Sequence, residues 1–183
     1  MKTAKNLLLL TLLVLLLSGC FGAEYSASRR KTAVSYARQH EETIISCSEM
    51  LLSNYAKQDD ALLITQVDGS LFRLYSYHAE EAEEVELPEL QQLFDSGVIH
   101  CVTLRSYSVE YDVGGTGIAS NTTYRELNYI PSDQIQDLFG YSDKIPLEFD
   151  KATGGYGGRK PNSDNTFYYF KIRENLYYTE ASF

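Results

Sequence analysis

Thr166-Phe167-Tyr168-Tyr169-Phe170-Lys171-Ile172-Arg173-Glu174-Asn175-Leu176-Tyr177-Tyr178-Thr179 is the densest run of strand-forming residues in the chain, and its reading decides the fold class. Aromatic and β-branched side chains suit a pleated, half-buried surface, and Glu174-Asn175 interrupts them where a hairpin would turn. The pattern predicts an antiparallel pair in which Ile172 faces Tyr177 and Phe170 faces Thr179. Tyr168, Phe170 and Ile172 then share one face with Tyr177, while Lys171 and Arg173 take the other. A sheet is the scaffold at this end of the chain.

Upstream, Asp68-Gly69 lies between two apolar runs. This dipeptide favours a two-residue hairpin turn, whose central positions need positive φ. The spacing sets Leu63 against Leu74 and Thr65 against Phe72, with Gln66, Arg73 and Tyr75 behind them. Val98 to Val113 reads as a long strand, which Gly114-Gly115-Thr116-Gly117 turns toward Thr122–Ile130. Glu80 to Glu86 reads as a solvated acidic loop. Lys151 to Asn165, with Gly154-Gly155-Tyr156-Gly157-Gly158 at its centre, reads as a glycine-rich loop. Val34, Ala37, Ile44, Leu51 and Tyr55 recur at helical spacing, which predicts one long amphipathic helix from about Thr32 to Tyr55. Pro88 opens a short helix that Gly97 ends, and Pro131 opens another that runs to Phe139 and Gly140. The expected architecture is α+β: the long N-terminal helix packed on a twisted, mostly antiparallel sheet, with two short connecting helices.

Ahead of this domain, Lys2 and Lys5 precede an unbroken apolar run from Leu7 to Leu17. Crossing a bilayer takes roughly 20 apolar residues, so the run is too short for a span and has the build of a secretory signal. It ends in Leu17-Ser18-Gly19-Cys20. Over residues 1–20 the chain therefore resembles the bacterial lipoproteins, whose lipobox closes on a cysteine. The resemblance implies cleavage before Cys20, a diacylglycerol on its thiol and an acyl group such as palmitate on the new N-terminus. It also implies an organisation: residues 1–19 a signal peptide, 20–31 the lipidated cysteine and its tether, 32–183 a single α+β domain. Two or three acyl chains hold a protein to a membrane that one chain would let go. The expected location is the bacterial cell membrane, facing the extracytoplasmic side.

The whole chain carries a net charge of −9, and losing Lys2 and Lys5 with the signal makes it −11. So acidic a domain is a poor ligand for nucleic acid. Arg29-Arg30-Lys31 is the local exception, close to the anchor: it suits an anionic leaflet and equally a solvated basic start to a helix. With Cys20 acylated, only Cys47 and Cys101 remain, and one bridge or two buried thiols both stay open. Neither cysteine has a partner at zinc spacing, and the acidic run lacks the glycine and spacing of a calcium loop, so no metal and no cofactor is expected. The 15 tyrosines and the absence of tryptophan fit rings that cover sheet surface with their hydroxyls in water, or a binding platform.

Catalytic signatures are missing. Neither Gly114–Gly117 nor Gly154–Gly158 continues into the Lys-Ser/Thr of a P-loop, and no nucleophile elbow or His-Glu-x-x-His occurs. His40, His78 and His100 have no evident partners, and carboxylate pairs such as Asp59-Asp60 are ordinary in an acidic chain. The reading that follows is a membrane-anchored lipoprotein acting as a binding module for a protein, peptide or glycan at the cell envelope. The alternatives are an envelope hydrolase with an unrecognised site and an inhibitor of a cationic wall-degrading enzyme.

Overall fold

A computed structural model describes residues 28–58, 60–76, 78–79, 81–115, 122–135, 148–151, 154–159 and 165–182. The helical segments are α1 (residues 28–39), α2 (Glu41–Tyr55) and α3 (Pro88–Phe94). The strands are β1 (Leu62–Asp68), β2 (Leu71–Ser76), β3 (Glu83–Glu86), β4 (Cys101–Leu104), β5 (Val109–Asp112), β6 (Thr123–Tyr129), β7 (Glu148–Asp150), β8 (Gly155–Arg159), β9 (Thr166–Arg173) and β10 (Leu176–Ser182). They form one 10-stranded sheet in the order β3-β2-β1-β4-β5-β6-β10-β9-β8-β7. Every neighbouring pair is antiparallel.

Period-2 alternation divides each strand between an inner and an outer face. Ile64, Phe72, Val102, Leu104, Tyr111, Leu127 and Tyr178 point inward and are fully or almost fully buried. Ile44, Cys47 and Leu51 of α2 and Leu90, Leu93 and Phe94 of α3 close the same core from the other side. Phe94 meets Phe72 edge to face, with centroids 5.1 Å apart. Tyr111 reaches the helix layer, where its hydroxyl lies 2.8 Å from Ser48 Oγ and donates to the Ile44 carbonyl.

The expected architecture is corrected here. The sheet dominates the molecule, and no long N-terminal helix lies across it. The helical run breaks at His40, whose backbone sits at φ −117°, ψ 19°. No Gly or Pro marks the break; packing does. Tyr36 stacks on His40 (4.4 Å) and donates its hydroxyl to the Leu93 carbonyl. Arg30 is pinned to Glu180 of β10, while Glu41 and Glu42 just past the break bind Arg173 of β9. Two short segments can follow a twisted surface more closely than one straight rod of about 36 Å. Pro131 does not open a helix, since residues 131–135 are turn and irregular backbone; the rest of the expected second connecting helix lies outside the described residues.

Both expected hairpin registers slip by one residue, and each slip moves side chains to the other face. In the first hairpin Ile64 pairs with Leu74 and Gln66 with Phe72, a bulge follows at Val67, and Asp68 pairs with Leu71. The turn is thus Gly69-Ser70, with Gly69 at φ +50°, and Leu63 and Thr65 go outward. In the last hairpin Arg173 pairs with Leu176, but a bulge at Ile172 then sets Lys171 against Tyr177 and Phe170 against Tyr178. Tyr178 therefore joins the core, and Tyr177 faces out.

Two stretches read as loops are strands. Glu83–Glu86 is the edge strand β3, with Val85 packed against the core. Gly155–Arg159 is β8, and its glycines leave room for a neighbour. A Cβ on Gly155 would run into the Tyr168 hydroxyl and ring and lie 2.7 Å from the Tyr169 carbonyl oxygen.

Candidate functional site

The outer face carries an arrangement that only the register exposes. Cys101 pairs with Asp112, Asp112 with Glu126, Glu126 with Thr179, Thr179 with Tyr169, Tyr169 with Tyr156, and Tyr156 with Phe149. These residues make one row across seven neighbouring strands, β4 to β7 in sheet order. A parallel row runs Thr103, Glu110, Asn128, Tyr177, Lys171. The β4–β6 half of the two rows is acidic, and the β9–β7 half is aromatic.

In the aromatic half Tyr156 and Tyr169 are stacked, 5.3 Å apart and 14° from parallel. Phe149 closes one end at 5.2 Å from Tyr156, and Tyr177 the other at 6.3 Å from Tyr169. Phe149 is 54% exposed and Tyr156 41%. The opposite end is held down: Tyr177 packs with Ile130 and Ile135 and donates its hydroxyl to Asp133 Oδ1 at 2.8 Å. Burial and that carboxylate push the Tyr177 hydroxyl up to about 12. Partial desolvation works against an ionised Asp133, yet hydrogen bonds from Lys171, the Asn175 N–H and Tyr177 outweigh it and hold this carboxyl below its usual range.

In the acidic half Arg105 binds Glu110 through two hydrogen bonds, 2.6 and 3.3 Å. Glu126 is pushed up to about 7, first by burial and then by the charges of Glu110 and Asp112. Among the described residues no group of His, Cys, Asp or Glu is placed to hold a metal ion.

A second feature is a groove of about 290 Å³ between α1 and the turn after α3, lined by Arg29, Thr32, Ala33, Val98, His100 and Val113. Arg29 and His100 converge over Gly114, where a Cβ would lie 2.9 Å from one and 3.3 Å from the other. Arg29 is engaged by other groups, and neither a carboxylate nor a thiol lines the groove. It is a shallow basic recess with no reacting pair.

The residues singled out in the sequence are scattered. Cys20 and everything before it lie outside the described residues, as do Thr116 and Gly117. Cys47 and Cys101 are free thiols on opposite sides of the sheet. Cys47 on α2 donates to the Glu89 carbonyl at 3.2 Å, and Cys101 faces Asp112 on the outer side. Burial, with an adjacent carboxylate in each case, pushes both up to about 11, which leaves neither a ready nucleophile. His40 sits at the helix break, His78 after β2 and His100 at the groove. Tyr156, Tyr169 and Phe149 stand out only in the structure, because a glycine-rich loop reading hides the strand that aligns them. No helix among the described residues is long and apolar enough to cross a membrane. No family model, curated protein or solved structure matches the chain.

Proposed function

We propose that this chain is an extracytoplasmic lipoprotein, held at the bacterial cell membrane through Cys20, whose sheet docks a protein or peptide partner. The observation that supports it is the exposed aromatic end of the outer-face row, Phe149 and Tyr156. Tyrosine and phenylalanine supply large contact area at little cost in side-chain entropy and are enriched at protein interfaces. A glycan fits less well. Sugars stack on open ring faces, whereas Tyr156 and Tyr169 stack on each other and each packs against a further ring, Phe149 or Tyr177. The charge of −11 left once Lys2 and Lys5 are lost favours a neutral or cationic partner surface. The inhibitor reading would instead use the acidic edge β3, where Glu83, Glu84 and Glu86 are exposed. Hydrolysis finds no support in thiols raised by burial or in histidines that stand apart.

The test is a photoreactive amino acid placed in the full-length protein in cells, at Tyr156 in one strain and at Glu83 in another. A discrete adduct from position 156, absent from position 83, supports docking on the aromatic end. An adduct from position 83 alone supports the inhibitor reading, and adducts from neither position overturn both.

A further inference from the structure

The groove between α1 and the turn after α3 stands out by its charge. In a chain of 25 acidic and 16 basic residues, the ionisable side chains lining this cavity of about 290 Å³ are Arg29 and His100. The pleat accounts for the separation. Cys101 and Asp112 pair on the outer face, so His100 before one and Val113 after the other turn to the inner face. The acidic row through Asp112 and Glu126 therefore points to the opposite side of the sheet. Asp112 stays with that side: Cys101 Sγ lies 3.8 Å from its Oδ2, while its Oδ1 accepts the Gly114 N–H at 2.8 Å.

Two donors converge at the inner side of this turn. A Cβ on Gly114 would lie 2.9 Å from Arg29 Nη1 and 3.3 Å from His100 Nε2, so a guanidinium from α1 and an imidazole from the start of β4 approach one point. Gly114 is buried at φ +93°, a conformation that favours glycine, and a side chain there would displace the guanidinium. The turn keeps that space open. Arg29 has other partners; a guanidinium carries five N–H donors, and a ligand oxygen can join them. Ala33, Val98 and Val113 give the recess an apolar wall. An apolar lining with a few convergent polar groups is the common build of a small-ligand site.

We propose that this recess binds a phosphate-ester anion, with its phosphoryl oxygens between Arg29 and His100 and its organic part on Ala33, Val98 and Val113. The arginine fork matches phosphate and carboxylate alike. Tetrahedral oxygens point in several directions and reach donors on two elements at once, whereas a planar carboxylate spends both oxygens on the guanidinium. The same chemistry comes from two sources, a soluble phosphorylated molecule or the headgroup of an anionic phospholipid. The inference rests neither on docking by Phe149 and Tyr156 nor on the lipid anchor.

The test is NMR of the Arg29 Nε–H and the His100 ring in the full chain as extracted from cells in non-ionic detergent. One arm titrates inorganic phosphate at constant pH and ionic strength, with acetate as the carboxylate control. The other places the protein in phosphatidylcholine nanodiscs with and without phosphatidylglycerol. Both resonances should move in at least one arm: a response to phosphate alone marks a soluble ligand, and a response to phosphatidylglycerol marks a lipid headgroup. No movement in either arm, or an equal response to acetate, overturns the proposal. Thr32→Glu sets a carboxylate at an exposed position of the lining and should weaken binding about tenfold or more. Lys31→Gln, beside the recess but outside its lining, should change it by less than about twofold, as a screened surface charge does. Unchanged affinity in Thr32→Glu, or an equal loss in Lys31→Gln, would also overturn it. If Thr32→Glu lowers the urea midpoint, His100→Ala decides instead: exposed and outside the core, it should keep the midpoint and lose about tenfold or more in affinity, and full affinity there would overturn the proposal.

Discussion

Glu180→Gln is the substitution that most exposes how the helical layer is held to the sheet. Glu180 on β10 accepts from Arg30 Nε at 2.9 Å and from Arg30 NH2 at 2.8 Å, and from the Tyr178 hydroxyl at 2.5 Å. Arg125 Nε lies 3.6 Å from the same carboxylate, on a side chain only 2% exposed. The Arg30 guanidinium also lies over the Tyr168 ring, 4.0 Å from its centroid. Gln keeps the shape and removes the charge, so two guanidiniums lose their shared counter-ion. Breaking a buried pair from one side costs about 3–5 kcal/mol. Arg30 is 25% exposed and water can partly re-solvate it, which places the expected loss near ~3 kcal/mol. For a chain of this size that is roughly 6–12 °C in Tm. Urea denaturation gives the energy, and native-state hydrogen exchange gives the location: amides of residues 28–39 should lose protection more than those of β1 or β4. Arg30→Gln in the Glu180→Gln background should then add little. A loss below about 1 kcal/mol, the level of an exposed pair, with unchanged protection in α1 would refute the clasp. The pH dependence has a definite sign. Desolvation alone would raise Glu180, but hydrogen bonds from Arg30 and Tyr178 and the charges of Arg30 and Arg125 lower it. Its contribution is present above the ordinary glutamate range and is lost as pH falls through its lowered value.

Gly155→Ala drives a methyl group into the Tyr168 ring and the Tyr169 carbonyl, and overpacking of this kind costs about 1–3 kcal/mol; urea midpoints of parent and variant check it. Alkylation under denaturing, non-reducing conditions should label both Cys47 and Cys101, because they sit on opposite sides of the sheet as free thiols, and an unlabelled pair would contradict that placement. Tyr111→Phe should cost only about 0.5–1.5 kcal/mol, since the Ile44 carbonyl keeps its bond from Ser48 Oγ at 2.7 Å; a larger loss in thermal denaturation would mean that the hydroxyl supports more than its two partners.

What the sequence made legible was composition-driven: the aromatic alternation of Phe167 to Ile172, the existence of a hairpin around Gly69 though not its turn residues, and the proline and glycine that frame Pro88–Phe94. What it concealed turned on single residues. The extra residues at Val67 and Ile172 shift two registers by one, and nothing about a valine or an isoleucine marks a bulge. His40 breaks the helix because Arg30, Tyr36, Glu41 and Glu42 find separate partners on the sheet and α3, and those partners lie more than 50 residues away along the chain. Gly155–Arg159 looks like a loop because its glycines carry no pattern; their role is to make room for Tyr168, which belongs to another strand. The row from Cys101 to Phe149 joins seven strands, and no local window holds more than a fragment of it. The crowding at half-buried Glu126 was invisible for the same reason, since Asp112 opposite it becomes significant only once the register is known.

The reading of this chain as an envelope-tethered docking protein is tested most directly by the intact mass of the protein extracted from membranes. The account predicts a chain that begins at Cys20, carries a diacylglycerol, and stays with the membrane through an alkaline wash, while Cys20→Ala gives an unlipidated protein that the wash releases. A membrane-bound species with the mass of unprocessed residues 1–183, or a Cys20→Ala protein that resists the wash as the parent does, would contradict it.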